Sequence, residues 1–219
     1  MQTYQFATSR LGLPVLAHKF GGEGPCVLIL GGVHGNEPEG VVAALGLLKS
    51  FQDSFKYRLQ VTIVPEFNVD GVIAKTRGNS SGIDLNRNLP TKDWSPVAHK
   101  PEYYPGLTAN SEPENQALTA WIEKEKPSFI WSLHSWKPML NVNGNCNPEA
   151  AIVKEQTGYI IQEDIGYPTP GCLGSYTGLE KGIPTLTYEI ERGLAFDRIL
   201  AVHVPAILSA LKATETRTL

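Results

Sequence analysis

The sequence predicts a single-domain α/β fold, an α/β/α sandwich around a mixed, mostly parallel twisted sheet. Short apolar runs typical of buried strands alternate along the chain with segments whose apolar residues recur at helical spacing. The 219 residues are 42% hydrophobic, which is enough for one sizeable core. No internal repeat divides the chain. We therefore expect one domain over residues 1–219.

The N-terminal part is predicted to form a hairpin, a buried strand and a helix. Residues 3–8 and 13–20 flank a turn and fit two paired strands. Residues 25–30 are almost continuously apolar, as expected of a strand that is buried on both faces. Residues 38–51 carry alanine, leucine and valine at helical spacing. Pro38 suits the first turn of that helix, where a missing N–H costs nothing.

The same alternation continues to the end of the chain. We predict strands at residues 59–65, 128–133 and 183–190, and helices at residues 111–126, 147–162 and 196–212. Ser111 is a candidate cap for the first of these helices, with Glu114 completing a capping box. Pro205 predicts a kink in the last helix.

One long segment, residues 66–113, has little periodic pattern and is rich in Gly, Asn, Pro and Ser. Loops of this length inside a compact domain are usually functional or disordered. Because this segment contains many polar groups that can do chemistry, we expect it to contribute to a functional site.

Composition excludes several classes of function. The formal net charge is −3 and no dense Lys/Arg run occurs, so nucleic acid is not an expected partner. No apolar run approaches the roughly 18 residues of a membrane span, and the N-terminus does not resemble a signal peptide. Cys26, Cys146 and Cys172 are scattered and form no CxxC pair. We therefore expect a soluble, cytoplasmic protein.

A candidate metal site lies where two predicted inner strands end. His34 and Glu37 follow the first strand, three residues apart, in the glycine-rich stretch GGVHGNE. His134 follows the strand at residues 128–133 and would emerge at the same edge of the sheet. Two nitrogens and one carboxylate leave a coordination position open, which is typical of a catalytic rather than a structural zinc ion. The sequence thus predicts one bound Zn²⁺.

A lone HxxE pair such as His34 and Glu37 often arises by chance. The prediction of a metal site therefore depends on the strand-end placement and on His134.

The remaining histidines are weaker candidates for metal ligands. His18 lies on an early strand and His203 on the closing helix, where a satisfied or solvated imidazole is the ordinary explanation. His99 is excluded less firmly, because it lies in the long segment.

Four segments resemble the zinc carboxypeptidase family. They are GGVHGNE, the run from Lys75-Thr76-Arg77 through DLNRN, SLHS around His134, and LTYEIE around Glu189. Together they span roughly three quarters of the chain, in the order found in the family. The resemblance implies that the protein is a zinc-dependent peptidase or amidase with the fold of that family.

The resemblance also implies roles at the metal. His34, Glu37 and His134 match the zinc ligands, and Asp84 matches a carboxylate that supports the first zinc histidine. Glu189 matches the general base that later donates a proton. General acid–base chemistry supports this role independently of the resemblance. A carboxylate beside a metal site can take a proton from water and deliver it to the leaving amine.

Three further residues match groups that bind substrate. Arg77 matches an arginine that polarises the scissile carbonyl, where a permanent positive charge stabilises the developing negative charge. Asn86 and Arg87 match a pair that binds a substrate carboxylate, although such a pair can also simply tie down its own loop. Glu191 shares a strand face with Glu189 and is the competing candidate for the base.

Residues 163–171 and 174–176 resemble the bacterial murein tripeptide amidases within this family. The implied reaction cleaves the bond between γ-D-glutamate and meso-diaminopimelate during cytoplasmic recycling of cell-wall peptides. Tyr167 and Tyr176 are both candidates for a substrate-binding phenol, and Cys172 stands where that pattern has a serine.

Two alternatives remain at this point. An N-acyl amino acid deacylase like aspartoacylase or succinylglutamate desuccinylase shares the GGxHGNE-like and DLNR-like segments, but such enzymes usually carry a further C-terminal β-rich domain. A non-catalytic metal- or peptide-binding module would keep the fold, and we would then expect at least one of the ligands, arginines or bases to be missing.

Overall fold

Eight strands form one mixed sheet in the computed structural model, which describes residues 1–217. The strands are β1 (Gln2–Thr8), β2 (Pro14–Phe20), β3 (Cys26–Leu30), β4 (Gln60–Val64), β5 (Phe129–Trp136), β6 (Met139–Asn143), β7 (Ile160–Gln162) and β8 (Thr185–Glu191). Their order is β1-β2-β4-β3-β5-β8-β6-β7. Four of the seven pairings are parallel, which confirms the predicted fold class.

The central strands β4, β3, β5 and β8 run parallel, so their carboxyl ends meet at one edge of the sheet. All five residues of β3 are buried, as are the first seven of β5. Strands buried on both faces require cover on both sides. This need explains the sandwich, and the parallel order places the carboxyl ends of β3, β5 and β8 together at one open rim, where α/β sheets bind ligands.

The α-helices within residues 1–217 provide much of the cover. They are α1 (Pro38–Asp53), α2 (Val69–Ala74), α3 (Pro113–Glu125), α4 (Asn147–Thr157), α5 (Phe196–Arg198) and α6 (Val204–Thr214). Helices α1, α4 and α6 pack on one face of the sheet, in one cluster with Trp131 and Tyr188. Helix α3 covers the other face, where Leu118 and Ile122 pack with Leu28 and Leu30 of β3.

Helix α1 approaches β5 closely because residue 40 is glycine. A Cβ atom built on Gly40 would lie 2.3 Å from the carbonyl oxygen of Leu133 and 3.3 Å from the nitrogen of His134. No larger side chain fits this contact without moving the helix or the strand. The glycine therefore fixes α1, which begins directly after Glu37, against the part of β5 that contains His134.

The structure corrects several predicted boundaries. Strand β5 continues through His134 to Trp136, so this histidine lies within the strand and not after it. The predicted helix at residues 147–162 ends at Thr157, because Gly158 has a positive φ of 73° and the chain continues as β7. Strand β6 was not predicted. Its sequence, MLNVN, is too short to show a clear alternation.

The predicted capping box at α3 is wrong. The helix begins at Pro113 with Glu112 at the N-cap position, and no side chain caps it. The hydroxyl of Ser111 instead donates to Glu112 Oε1 at 2.8 Å. In the closing helix, the disturbance expected at Pro205 is a π-helical turn, Ile199–His203, immediately before α6.

Residues 66–113 contain α2 and two short 3₁₀ helices, Leu85–Arg87 and Pro101–Tyr103. The rest of this segment is irregular and crosses the open rim of the sheet. Within residues 1–217, no helix combines the length and the apolar character needed to cross a membrane.

Candidate active site

Three buried side chains converge at the open rim of the sheet. Glu37 lies immediately before α1 and faces both histidines: its Oε1 is 3.0 Å from Nδ1 of His34, and its Oε2 is 2.9 Å from Nδ1 of His134. The two Nδ1 atoms are 3.1 Å apart. Each of the three residues is at most 4% exposed. The structure therefore brings together the three residues that the sequence analysis predicted as ligands.

The other nitrogen of each histidine already has a partner. Nε2 of His34 lies 3.0 Å from Asp84 Oδ1, and Nε2 of His134 lies 2.9 Å from the hydroxyl of Ser132. A carboxylate accepts only from a protonated nitrogen, so Asp84 holds the proton of His34 on Nε2. This leaves the lone pair of Nδ1 directed at the space shared with Glu37 and His134.

These donors fit one zinc ion. Two ligand atoms at about 2.1 Å from a tetrahedral ion lie roughly 3.4 Å apart, a few tenths of an ångström more than the separations observed here. Two imidazole nitrogens that face each other beside a buried carboxylate form a donor set that suits a shared cation. Among the described residues, His34, Glu37 and His134 form a group of potential metal ligands whose ligand atoms all lie within 4.8 Å of one another.

Asp84 joins the long segment to the metal ligands. Its Oδ2 accepts from Nε of Arg77 at 2.8 Å, and its Oδ1 also accepts from the backbone N–H of Asn86 at 2.9 Å. Burial alone would raise the pKa of Asp84, but the His34 imidazole and the Arg77 guanidinium hold it well below its ordinary value. The carboxylate thus stays charged and fixes Arg77 beside the metal site.

The predicted carboxylate-binding pair lies on the same wall. The side-chain oxygen of Asn86 accepts from the backbone N–H of Leu173 at 2.8 Å, which leaves its NH₂ group as a donor. Nη1 of Arg87 donates to the carbonyl oxygen of Asn86 at 2.6 Å, and the side chain is largely buried. Both residues line the cleft that also contains His34, Glu37 and Glu189.

Glu189 lies on β8, directly beside His134 of β5 in the parallel register. Its Oε2 is buried and has no hydrogen-bond partner within residues 1–217. Burial raises the pKa of Glu189 to about 7, against the opposing effect of His134. Glu191, the competing candidate, is exposed and does not line the cleft. The geometry therefore favours Glu189 as the carboxylate that can exchange protons here.

The cleft has a volume of about 490 Å³ and a neutral polar floor. Strands β6 and β8 pair so that Asn141 lies opposite Thr187 and Met139 lies opposite Glu189. Asn141, Asn143 and Thr187 all line the cleft, together with Cys172 and Gly174 from the chain above them. The floor therefore offers amide and hydroxyl groups in place of the apolar surface that a hydrocarbon side chain would need.

Comparison with known proteins connects this geometry to a family. The zinc carboxypeptidase model matches residues 1–191, a range that contains all three candidate ligands and Glu189. The chain belongs to the zinc carboxypeptidase family. It is a zinc-dependent hydrolase of peptide bonds, as predicted, and this reading is favoured over the deacylase and binding-module alternatives.

Relatives agree with this assignment. Murein peptide amidase A of Vibrio campbellii is 28% identical over 198 residues, covering 84% of this chain and 77% of the relative. The crystal structure of the murein-tripeptide amidase from Escherichia coli O157 has a TM-score of 0.76 at 23% identity, covering 100% of this chain and 94% of that one. Bovine thrombin-activatable fibrinolysis inhibitor, bound to tick carboxypeptidase inhibitor, has a TM-score of 0.84 at 20% identity, covering 98% and 89%. These two structures share the fold.

Within this zinc carboxypeptidase, the two candidate tyrosines lie in different places. Tyr167 lines the cleft, and its ring stacks on that of Tyr103 with the centroids 6.2 Å apart. Tyr176 packs in the core beside α3, and Lys181 lies over its ring, so it is not among the residues that line the cleft. Of the two predicted tyrosines, only Tyr167 therefore lines the cleft.

Sequence reasoning missed an aromatic residue between the arginines. The guanidinium carbons of Arg77 and Arg87 lie 4.8 and 5.3 Å from the ring centroid of Tyr103, and Tyr167 stacks on the same ring. These are cation–π distances. Tyr103 follows Pro101 in a 3₁₀ turn of the aperiodic segment, and no pattern in the sequence marks it.

Arg192 was also missed, although it comes only three residues after Glu189. Its Nη2 donates to Glu37 Oε1 at 3.1 Å and to the carbonyl oxygen of Ser135 at 2.8 Å. Trp136 lines the cleft as well and directly follows this serine on β5. Arg192 and Trp136 each lie shortly after the end of a predicted strand. Because ligand-binding residues often occupy that position, it could have identified them from the sequence.

Proposed function

We propose that the protein hydrolyses a peptide amide bond with Glu189 as general base and then proton donor, and Arg77 as the cation beside the carbonyl oxygen. His34, Glu37 and His134 would hold the metal ion. The observation that carries this proposal is the shared cleft, in which the Nδ1 atoms of both histidines, the unpartnered oxygen of Glu189 and the guanidinium of Arg77 all face one space.

Hydrolysis adds the oxygen of water to the carbonyl carbon and a proton to the leaving nitrogen. Glu189 takes a proton from the attacking water and delivers it to the nitrogen as the C–N bond breaks. Arg77, fixed by Asp84, donates to the carbonyl oxygen as negative charge grows there. Bound Zn²⁺ would supply Lewis acidity to the same oxygen and to water.

The substrate proposed is a murein peptide in which γ-D-glutamate is joined to meso-diaminopimelate. Support comes from the murein peptide amidase of Vibrio campbellii, which matches over most of both chains. The cleft supports it as well: Asn86 and Arg87 can bind one carboxylate of the leaving residue, while Asn141, Asn143 and Thr187 offer hydrogen bonds to its amino-carboxylate end.

A substrate comparison tests this proposal. Zinc-loaded protein is assayed with L-Ala-γ-D-Glu-meso-diaminopimelate, with the L-glutamyl isomer and with N-acetyl-L-aspartate. We expect release of diaminopimelate from the first peptide with a kcat/KM at least about 100-fold above the other two. Faster release of acetate would contradict the proposal and favour a deacylase.

The role of Glu189 is tested by Glu189→Gln, with Glu191→Gln as the matched control on the same strand. We expect Glu189→Gln to bind zinc stoichiometrically and to lose at least about 1000-fold in kcat. Glu191→Gln, at an exposed position outside the cleft, should stay within about twofold of the unmodified protein. Full zinc content with undiminished hydrolysis in Glu189→Gln would refute the proposed role.

A further inference from the structure

Two buried carboxylates lie against the turn between β1 and β2, outside the catalytic cleft. Asp70 of α2 is 2% exposed, and Glu114 of α3 is fully buried. Oδ2 of Asp70 accepts from the backbone N–H of Leu11 at 3.1 Å, and Oε1 of Glu114 accepts from the backbone N–H of Arg10 at 3.0 Å. Neither carboxylate lines the cleft. We call Asp70 and Glu114 the hairpin acids.

The shape of the turn brings the hairpin acids together. The N–H of Gly12 donates to the carbonyl oxygen of Ser9 at 2.9 Å, which closes a β-turn with Arg10 and Leu11 at its centre. Neither central residue has a positive φ, so the turn is of type I. Both central residues of such a turn have nearly helical backbone angles, and their N–H groups point to the same side. The two carboxylates that these N–H groups bind are therefore neighbours.

The other oxygen of each carboxylate has no partner. Oδ1 of Asp70 and Oε2 of Glu114 are buried and form no hydrogen bond within residues 1–217. Because these two oxygens are not hydrogen bonded to each other, a proton shared between the carboxylates does not satisfy them. Each belongs to a carboxylate that the turn holds in place, so both are fixed in one region. Buried polar atoms of this kind normally have a ligand atom as partner.

No basic side chain balances the charge of the hairpin acids. Within residues 1–217, neither Asp70 nor Glu114 forms a salt bridge. The side chain of Arg10 donates instead to the hydroxyl of Ser81 at 3.1 Å. Burial raises the pKa of Glu114, and the negative charges of Asp70 and the buried Glu112 raise it further, against the effect of the backbone N–H groups. Buried charges of one sign are costly unless a counter-charge is present.

We propose that the hairpin acids bind one hard divalent cation, Ca²⁺, which fastens the β1–β2 turn to α2 and α3. The ligand atoms available are oxygens, namely the free oxygen of each carboxylate and the hydroxyl of Ser80, which lies 2.8 Å from Asp70 Oδ2. Ca²⁺ prefers such oxygens, accepts them in flexible geometry and completes its coordination with water. Its two positive charges balance the two carboxylates. Zn²⁺ instead favours ligand sets that include imidazole, as at His34 and His134.

Calcium binding to the zinc-loaded protein tests the inference. The protein is freed of excess zinc and titrated with CaCl₂ in a calorimeter, and we expect one Ca²⁺ to bind per chain in addition to the zinc. About 5 mM CaCl₂ should also raise the midpoint of thermal unfolding by roughly 5 °C, because an ion that binds only the folded chain stabilises it. Failure of the zinc-loaded protein to bind Ca²⁺ would overturn the inference.

Glu114→Gln tests whether the calcium binds at the hairpin acids. The amide oxygen of glutamine can still accept from the N–H of Arg10, so the contact with the turn is kept while one charge is lost. We expect calcium affinity to fall at least about tenfold, with unchanged zinc content. The matched control is Glu123→Gln, at an exposed position of the same helix, which should bind calcium as the unmodified protein does. Undiminished calcium binding in Glu114→Gln would overturn the inference.

Asp70→Asn keeps the inference testable if Glu114→Gln does not fold. Its amide oxygen can accept from Leu11, and we expect the same loss of calcium affinity. A different result would assign a proton to Glu114 in place of the ion: no calcium binding, together with a Glu114→Gln variant that unfolds at a higher temperature than the unmodified protein at about pH 8. None of these measurements uses a peptide substrate, so the inference and the proposed function can fail separately.

Discussion

The carboxylate of Asp84 lies 3.0 Å from Nε2 of His34, on the side of the imidazole away from the candidate metal position. This contact selects the tautomer whose Nδ1 lone pair is available as a ligand. Because Asp84 also accepts from Arg77, one buried carboxylate orients both a candidate metal ligand and the cation that we propose acts on the substrate.

Replacing Asp84 should weaken metal binding. We expect Asp84→Asn to lower zinc affinity by about 10–100-fold, because an amide can present its NH₂ group to Nε2 and favour the wrong tautomer. Competition with a chromophoric chelator measures this affinity. The matched control is Asp70→Asn, a buried aspartate of the same segment that accepts from Leu11 and Ser80. It should cost about 1–3 kcal/mol of stability and leave zinc affinity within threefold. Equal zinc losses in both variants would count against the specific role of Asp84.

Removing the aromatic ring between the arginines should impair substrate binding. Tyr103→Leu loses the face that Arg77 and Arg87 contact at 4.8 and 5.3 Å, and we expect kcat/KM to fall about 10–50-fold. Tyr103→Phe keeps the face and should stay within threefold. Steady-state kinetics, with thermal unfolding as a check on folding, distinguish the two variants. A Phe variant as poor as the Leu variant would mean that the hydroxyl, and not the ring face, is what matters.

The contact between α1 and β5 should link packing to metal affinity. Gly40→Ala must push the helix away from Leu133 and His134, so we expect a loss of about 1–3 kcal/mol in stability and a lower zinc affinity. Gly46→Ala, on the same helix, meets only the ends of the Leu200 and Val204 side chains. We expect it to stay within about 1 kcal/mol and to bind zinc normally. Calorimetric titration with zinc measures the metal affinity of both variants.

A buried histidine away from the cleft should make stability depend on pH. Burial, with a smaller effect of Arg198, lowers the pKa of His203 to about 4, and its Nδ1 is hydrogen bonded to the hydroxyl of Tyr188 beside the ring of Tyr159. Between about pH 6.5 and 4 the unfolded chain binds a proton that the folded chain does not. His203 therefore does not affect the free energy of unfolding above about pH 6.5. It lowers that free energy progressively as the pH falls from 6.5 towards 4.

The variant His203→Gln cannot titrate, so its loss of unfolding free energy between pH 7.5 and 4.5 should be smaller by roughly 2 kcal/mol. Urea unfolding at the two pH values measures this difference. An unchanged difference would show that other groups dominate the acid sensitivity of the fold.

The candidate metal ligands could be predicted because they lie near or just beyond the carboxyl ends of buried strands. His34 and His134 come from neighbouring parallel strands, and the carboxyl ends of such strands meet at one edge whatever the rest of the fold does. The role of Asp84 followed only from resemblance, since its contact with His34 joins residues 50 positions apart. The periodic pattern carries no information about such a contact.

Other parts of the site depend on tertiary placement alone. Asn141 and Asn143 belong to β6, whose five residues are too few for a clear pattern. Tyr167 and Tyr176 occur in similar Gly- and Pro-containing sequence, yet one lines the cleft and the other packs in the core. Tyr103 lies in a segment with no periodicity at all, so its position between two arginines could not have been inferred.

The candidate metal ligands belong to the sheet and to the turn before α1, whereas Asn86, Arg87 and Tyr103 belong to the long segment that crosses the rim. The sheet and the turn before α1 thus carry the candidate metal ligands, whereas a surface segment provides part of the cleft wall. Replacement of that surface segment in a related enzyme could therefore change which substrate fits the cleft and leave the candidate metal ligands in place.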